Sequence, residues 1–166
     1  MKYLTVIRHA KSSWDNPVLD DIDRPLNARG KRALGLISAF LLQKGLYPDR
    51  ILCSPARRAR KTAEGIARGL DLPKSVLAVE PRIYSGDAAE LLRRVCGLDD
   101  TLRDVFLVGH EPVLSGLIGR LGGHVPEKFP TGAMYRYAFD TDQWEKANAK
   151  NGSCEFFVYP KMLGGE

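Results

Sequence analysis

The chain has 166 residues, of which 44% are hydrophobic, 27% are charged and 8% are aromatic. A chain of this length can bury roughly 70% of the surface that it exposes when unfolded, so it needs neither disulfides nor a metal in order to fold. Its formal net charge of +5 favours an anionic partner, but the basic residues lack the interleaved aromatic side chains typical of nucleic-acid-binding surfaces. We therefore expect a phosphorylated ligand and no nucleic acid.

No stretch approaches the roughly 18 apolar residues of a membrane span, and the first apolar run is too short for a signal peptide. The three cysteines have no metal-like spacing: Cys53, Cys96 and Cys154. The first and last lie in apolar segments, where a thiol behaves as a small hydrophobe. These features predict reduced core cysteines in a cytoplasmic protein without a membrane partner.

Strand-like and helix-like segments alternate from end to end, which is typical of an α/β fold. No linker or internal repeat divides the chain, so residues 1–166 are predicted to form one domain. Strands are predicted over residues 3–7, 50–54, 76–79, 105–108, 134–139 and 154–159, and helices over residues 28–44, 55–69, 88–96 and 113–121. Asn27 and Gly45 are the predicted ends of the first helix, and Pro55 is expected in the first turn of the second.

Two apolar runs end in a histidine. Residues 3–7 lead into Arg-His-Ala-Lys-Ser at residues 8–12, and residues 105–108 lead into Gly109-His110. Because α/β proteins place their chemistry at the carboxyl ends of strands, these two of the three histidines are predicted to share one site. The third, His124, lies in a loop without neighbouring metal ligands and is predicted at the surface.

A third motif follows the second predicted strand: Ser-Pro-Ala-Arg-Arg-Ala-Arg-Lys-Thr-Ala at residues 54–63. The amides at a helix start bind anions, and an arginine fork can hold two phosphoryl oxygens at once. A neutral histidine facing the phosphorus could then attack it and form a covalent phosphohistidine, and neighbouring cations favour that neutral form. The motifs together therefore predict phosphoryl transfer with a histidine nucleophile.

The three motifs, Arg-His-Ala-Lys-Ser at 8–12, Ser-Pro-x-x-Arg-x-x-x-Thr-Ala at 54–63 and Gly-His-Glu-Pro at 109–112, resemble the histidine phosphatase superfamily. Asp-Arg-Pro-Leu at 23–26 and Pro-Thr-Gly-Ala at 130–133 most resemble its SixA-type phosphohistidine phosphatases. The resemblance implies a three-layer α/β/α sandwich with a mostly parallel central sheet, as in the phosphoglycerate mutase-like fold. It also implies a phosphatase that works without a cofactor.

Four residues are implied by the resemblance to handle the phosphoryl group: His9, Arg8, Arg58 and His110. His9 would accept the phosphoryl group, the two arginines would clamp its oxygens, and His110 would donate to it and stabilise charge in the transition state. These four residues form the predicted catalytic set.

Arg24 matches the arginine of an Arg-Pro-Leu segment that joins the phosphate pocket in this branch, while Ser12 and Thr131 are expected to supply hydroxyl donors. An alternative for Arg24 is purely structural, because neighbouring acidic residues could hold it in place: Asp20, Asp21 and Asp23. The sequence alone does not decide between these two interpretations of Arg24.

Many members of the superfamily carry a glutamate over the leaving oxygen, and the sequence offers only candidates for it: Glu80, Asp87 and Glu111. An alkoxide leaves badly without a proton donor, whereas the imidazole of a phosphoramidate can already carry its proton. A missing acid therefore favours a phosphohistidine substrate, and a histidine phosphotransfer domain is one candidate partner.

Two alternatives remain, a phosphatase of a small phosphorylated metabolite and a binding module that holds phosphate without turnover. A mutase is less expected, because the chain shows no inserted lid to keep water from a phosphorylated intermediate. No group of His, Cys, Asp or Glu has the spacing of a metal site. The sequence therefore predicts neither a metal nor another cofactor.

Overall fold

A computed structural model describes residues 1–165, which form one six-stranded sheet with helices on both faces. The strands are β1 Lys2–Arg8, β2 Arg50–Cys53, β3 Leu77–Val79, β4 Asp104–Gly109, β5 Met134–Phe139 and β6 Gly152–Val158. The helices are α1 Ala28–Gln43, α2 Arg57–Gly69, α3 Arg82–Ser85, α4 Ala88–Cys96 and α5 Val113–Arg120. No helix formed by these residues has the length and apolar character needed to cross a bilayer.

The strands are arranged in the order β3-β2-β4-β1-β5-β6. β3, β2, β4 and β1 run parallel to one another, β5 runs antiparallel to β1, and β6 runs antiparallel to β5. Arg8 at the end of β1 pairs with Gly109 at the end of β4, so the two motif-bearing strands end side by side. The predicted, mostly parallel sheet is confirmed.

Alternation of side chains along β1 sends neighbouring residues to opposite faces of the sheet. Leu4 and Val6 pack into one cluster, which also holds Leu91 of α4 and Leu117 of α5. Ile7 packs into the second cluster with residues of α1 and α2. Helices therefore cover both faces of the sheet, and the predicted three-layer α/β/α architecture is confirmed.

Helix α1 is fixed closely against the segment that follows His9. The side chain of Asn27 accepts a hydrogen bond of 2.8 Å from the amide of Gly30, which confirms the predicted N-cap. A Cβ atom at Gly30 would collide with the backbone of Lys11, so only glycine permits this approach. Gly45, with φ of 66°, follows the helix as predicted.

The start of helix α2 differs from the predicted start at residue 55. It begins at Arg57, so Pro55 precedes the helix instead of lying in its first turn. The hydroxyl of Ser54 accepts a hydrogen bond of 3.1 Å from the amide of Ala56, and this turn delays the helix by two residues. The four-residue α3 was also not predicted, because a single turn is too short to show a helical period.

The prediction of three core cysteines is only partly right. Cys53 is buried and Cys96 is half-buried, but Cys154 is exposed. Cys154 lies on β6, an edge strand of the sheet, and an apolar strand sequence does not reveal which of its side chains a helix will cover. The prediction was therefore wrong for Cys154.

Candidate active site

The carboxyl ends of three neighbouring strands bring the motif residues together. His9 follows β1, Ser54 follows β2 and His110 follows β4. The amide of His9 donates to the carbonyl of Gly109 over 3.1 Å, and the ring centroids of His9 and His110 are 5.2 Å apart. The structure therefore brings these two histidines together.

His9 is held as a neutral imidazole in one tautomer. Its side chain is buried, with 7% of the residue exposed, and its Nδ1 lies 2.7 Å from the carbonyl oxygen of Ala10. Because a carbonyl can only accept, Nδ1 carries the proton and Nε2 carries the lone pair. Burial, aided by His110, Arg58 and Arg8, lowers the pKa of His9 to about 3. The ring is therefore uncharged, with an unprotonated Nε2, near neutral pH.

Arg58 stands near the start of α2 and is buried beside both histidines. Its guanidinium donates to the carbonyl of Asp21 over 2.7 Å and to the carboxylate of the same residue over 3.0 Å. The hydroxyl of Thr62 donates to the carbonyl of Arg58 and accepts from the amide of Ala10, at 2.7 and 2.9 Å. Thr62 therefore ties α2 to the backbone next to His9.

Two buried guanidinium N–H groups have no hydrogen-bond partner within residues 1–165, the Nε groups of Arg8 and Arg58. Arg8 otherwise donates to the carbonyl of Phe129 over 2.9 Å, and its burial lowers its pKa. A buried donor without an acceptor costs about 1–3 kcal/mol. Each of these two arginines therefore has an N–H donor that no group of residues 1–165 satisfies.

His110 is also neutral. A guanidinium only donates, so the 3.4 Å contact between Arg58 and Nδ1 of His110 makes Nδ1 the acceptor. Nε2 then carries the proton and donates to the hydroxyl of Ser54 over 2.8 Å. Burial and the charge of Arg58 lower the pKa of His110 to about 4. The rings of Tyr84 and His110 pack edge to face, with 5.6 Å between centroids.

Asp21 connects three side chains around the site. Its carboxylate accepts from Arg24 over 3.1 Å, from Arg58 over 3.0 Å and from the hydroxyl of Tyr84 over 2.9 Å. Partial burial opposes ionisation, but these three hydrogen bonds lower the pKa of Asp21 to about 2. From the sequence, Asp21 was only one of three acidic residues that could hold Arg24. Tyr84 was not predicted, because it lies on the unpredicted helix α3.

Arg24 is held by an acidic neighbour, Asp21, as the structural alternative expected. Its guanidinium also donates to the hydroxyl of Ser12 over 3.0 Å. The ring of Trp14 lies on the same guanidinium, 3.4 Å from its carbon to the ring centroid, although Trp14 is 72% exposed. Ser12 and Trp14 therefore contact Arg24 directly.

Thr131 lies at the rim and is half-exposed. The next residue, Gly132, donates its amide to the carbonyls of Arg8 and His9, each over 3.1 Å. This places Thr131 next to the motif backbone. Within residues 1–165, the hydroxyl of Thr131 takes no part in the hydrogen bonds among the arginines and histidines of the site.

The candidates for a general acid each have another partner. Glu80 pairs with Arg94 over 2.7 Å, and Asp87 accepts from the amide of Glu90 over 2.9 Å at the start of α4. Glu111 accepts from the amide of Ser115 over 2.8 Å. None of the three forms a hydrogen bond with His9 among residues 1–165.

His124 is exposed, as predicted. Across the described residues 1–165, no three His, Cys, Asp or Glu side chains come together as a metal-binding group. The ionisable side chains that act on the pKa of His9 are His110, Arg58 and Arg8.

Neutral histidines and buried arginines at the carboxyl edge of a mostly parallel sheet define an α/β protein of the histidine phosphatase class. The sequence profile of the histidine phosphatase superfamily (branch 1) matches residues 4–80. An uncharacterized protein of Mycobacterium tuberculosis is 31% identical over 138 residues, which cover 77% of this chain and 84% of that protein. The chain belongs to the histidine phosphatase superfamily.

Two further comparisons identify the branch. Phosphohistidine phosphatase SixA of Escherichia coli is 26% identical over 137 residues, which cover 81% of this chain and 84% of that protein. A solved structure of the protein histidine phosphatase SixA complexed with tungstate has a TM-score of 0.84 and 26% identity, covering 97% of this chain and 99% of that chain. The chain has the same phosphoglycerate mutase-like fold and is of the SixA type. Family and fold both support phosphatase activity.

Proposed function

We propose that this chain hydrolyses protein phosphohistidine through a covalent phosphohistidine on His9. The observation that carries the proposal is the unprotonated Nε2 of a buried, neutral histidine beside two arginines with unpaired N–H donors. The related SixA structure holds tungstate, which is a tetrahedral oxyanion like phosphate. This likeness supports a pocket that accepts a phosphoryl group.

In the first step, Nε2 of His9 attacks the phosphorus of the substrate. The bond from phosphorus to the substrate imidazole breaks, and its electron pair stays on that nitrogen. The other ring nitrogen keeps the proton it already carries, so a neutral imidazole leaves. Arg8 and Arg58 hold the phosphoryl oxygens and offset the charge that develops on them. The product of this step is phospho-His9.

In the second step, water attacks the phosphorus of phospho-His9. The bond from phosphorus to Nε2 breaks, its electron pair returns to the ring, and inorganic phosphate leaves. Covalent catalysis thus divides one difficult displacement into two easier ones. His9 ends as the neutral imidazole with which it began.

His110 changes charge when a phosphoryl group arrives. Burial and Arg58 keep it neutral in the unliganded site, whereas a nearby dianion favours the imidazolium. Nε2 keeps its proton and its hydrogen bond to the hydroxyl of Ser54, which fixes the ring. Nδ1 takes a proton from water and no longer accepts from Arg58. The Nδ1 proton and the released Arg58 N–H can then both be donated to a phosphoryl oxygen, which stabilises the transition state.

The leaving group decides the substrate class. Glu80, Asp87 and Glu111 are engaged with other partners, so none of these carboxyl groups is held as a proton donor for an alkoxide. A protonated imidazole needs none. These contacts support phosphohistidine over an alkyl phosphate ester, and rapid hydrolysis of a simple sugar phosphate would contradict this.

The test is phosphate release from a phosphotransfer protein phosphorylated on histidine, compared with release from a sugar phosphate and from para-nitrophenyl phosphate. We expect the wild type to prefer phosphohistidine and His9→Ala to lose at least about a thousandfold in rate. The matched control is His124→Ala, at the exposed third histidine, which should retain wild-type rates.

Two other outcomes would replace the proposal. Preference for one sugar phosphate would identify a metabolite phosphatase. Phosphate binding without release from any of these compounds would identify a binding module.

A further inference from the structure

A groove of about 810 Å³ lies beside the candidate active site. One wall includes Lys11, two residues after His9, and another includes Thr131. Thr131 precedes Gly132, whose amide bonds to the carbonyls of Arg8 and His9. The groove therefore begins where the proposed catalytic segment ends, and it is far larger than a phosphoryl group.

Basic side chains dominate the groove. Five line it, Lys11, Arg29, Arg32, Lys128 and Lys161, against one acidic lining residue among residues 1–165, Glu127. Lys11, Lys128 and Lys161 are exposed and come from three separate segments. Within the described part of the chain these three lysines form no ion pair and no side-chain hydrogen bond. Their charge is thus available to an anionic ligand.

The same groove has an apolar side. Phe157 and Tyr159 are half-buried in its wall, next to Pro130 and Pro160. A groove lined by both lysines and apolar rings suits a chain that carries both carboxylates and apolar side chains. An acidic polypeptide has that composition, whereas a small sugar phosphate would leave most of the groove empty.

We infer that this groove binds the acidic polypeptide segment that flanks the phosphohistidine of the substrate protein. The inference rests on the proposed function, since the segment must enter together with the phosphorylated residue. Complementary charge steers such a segment to the site and fixes its register, with an effect that salt weakens. The groove thereby selects which phosphohistidine reaches His9.

The test uses two dodecapeptides that carry one phosphohistidine and differ only in four flanking residues, glutamate in one and lysine in the other. We expect wild type to have a KM about tenfold lower for the glutamate peptide, with similar kcat. The variant K128E/K161E should lose this preference. The control K74E/K150E changes two exposed lysines outside the groove by the same charge and should keep it.

A binding measurement separates this inference from the proposed function. The same peptides, unphosphorylated and labelled with fluorescein, are titrated by anisotropy at low and high salt. If neither phosphopeptide is hydrolysed, the proposed function fails, while selective binding of the glutamate peptide still supports the groove. Equal binding of both peptides by wild type, or equal weakening by both double variants, would overturn it.

Discussion

At the scale of single residues, Asp21 orders the cationic side of the site. One carboxylate accepts from Arg24, Arg58 and Tyr84, so a single loop residue sets the direction of two guanidinium groups. The pKa of about 2 keeps Asp21 ionised across the ordinary assay range. We regard Asp21 as a positioning residue, which acts on the phosphoryl group through the arginines.

Asp21→Asn is predicted to keep the side-chain shape while removing the charge. Because a misplaced catalytic group can cost about 100-fold in rate, we expect kcat/KM to fall by about that factor. Steady-state kinetics on para-nitrophenyl phosphate, with far-UV circular dichroism to check folding, measure the effect. The matched control is Asp20→Asn, at an exposed neighbour, which should behave as wild type. Equal rates in both variants would remove the positioning role.

At the scale of elements, the start of α1 depends on close backbone contact. Gly30 faces the backbone of Lys11, where a Cβ atom has no room. Gly35, in the same helix, has open space around it. The two glycines therefore have different reasons to be present, and they form a natural pair for comparison.

Gly30→Ala is predicted to lower the free energy of unfolding by about 1–3 kcal/mol, because the helix must shift away from Lys11. Gly35→Ala should instead raise it by up to about 1 kcal/mol, because alanine favours the helix. Urea denaturation of both variants measures the difference. Stabilisation of similar size by both substitutions would show that the contact at Gly30 is not tight.

Elements with strong local signals were predictable. β1 and β4 are continuous apolar runs that are buried on both faces, and Asn27 and Gly45 mark the ends of α1. Helix α3 has only four residues, which gives no period to detect. The start of α2 depends on the hydrogen bond between Ser54 and the amide of Ala56, which a sequence does not show.

At the scale of the whole molecule, the site lowers stability in acid. The pKa of His9 is about 3 and that of His110 is about 4, both below the ordinary 6.5. Below pH 6.5 the unfolded chain therefore binds more protons at these two positions than the folded chain does. Stability falls as the pH drops through this window, by up to about 1.4 kcal/mol per pH unit for each histidine.

Denaturation curves between pH 7 and pH 5 test this dependence. We predict that His9→Asn reduces the loss of unfolding free energy on acidification by about half, because one of the two titrating imidazoles is gone. Asp21 lies outside the window, since its pKa is about 2. The control is the exposed His124→Asn, which should keep the wild-type slope. An unchanged slope in His9→Asn would contradict the neutral, buried state of His9.

The site residues that directly follow strands could be predicted from the sequence. His9 and His110 meet because β1 and β4 are neighbours in register. The choice of Asp21 among three acids depends on the path of a loop, and the groove joins segments that are distant in sequence. Such features follow from tertiary packing, and no local pattern encodes them.

The most direct measurement is a rapid-quench experiment with a substrate carrying radioactive phosphorus. The mechanism predicts transient label on the protein that is stable in alkali, labile in acid and located by peptide mapping on His9. His9→Ala should show no label and no turnover. Undiminished turnover in His9→Ala, or label on a different residue, would contradict catalysis through a covalent phosphohistidine on His9.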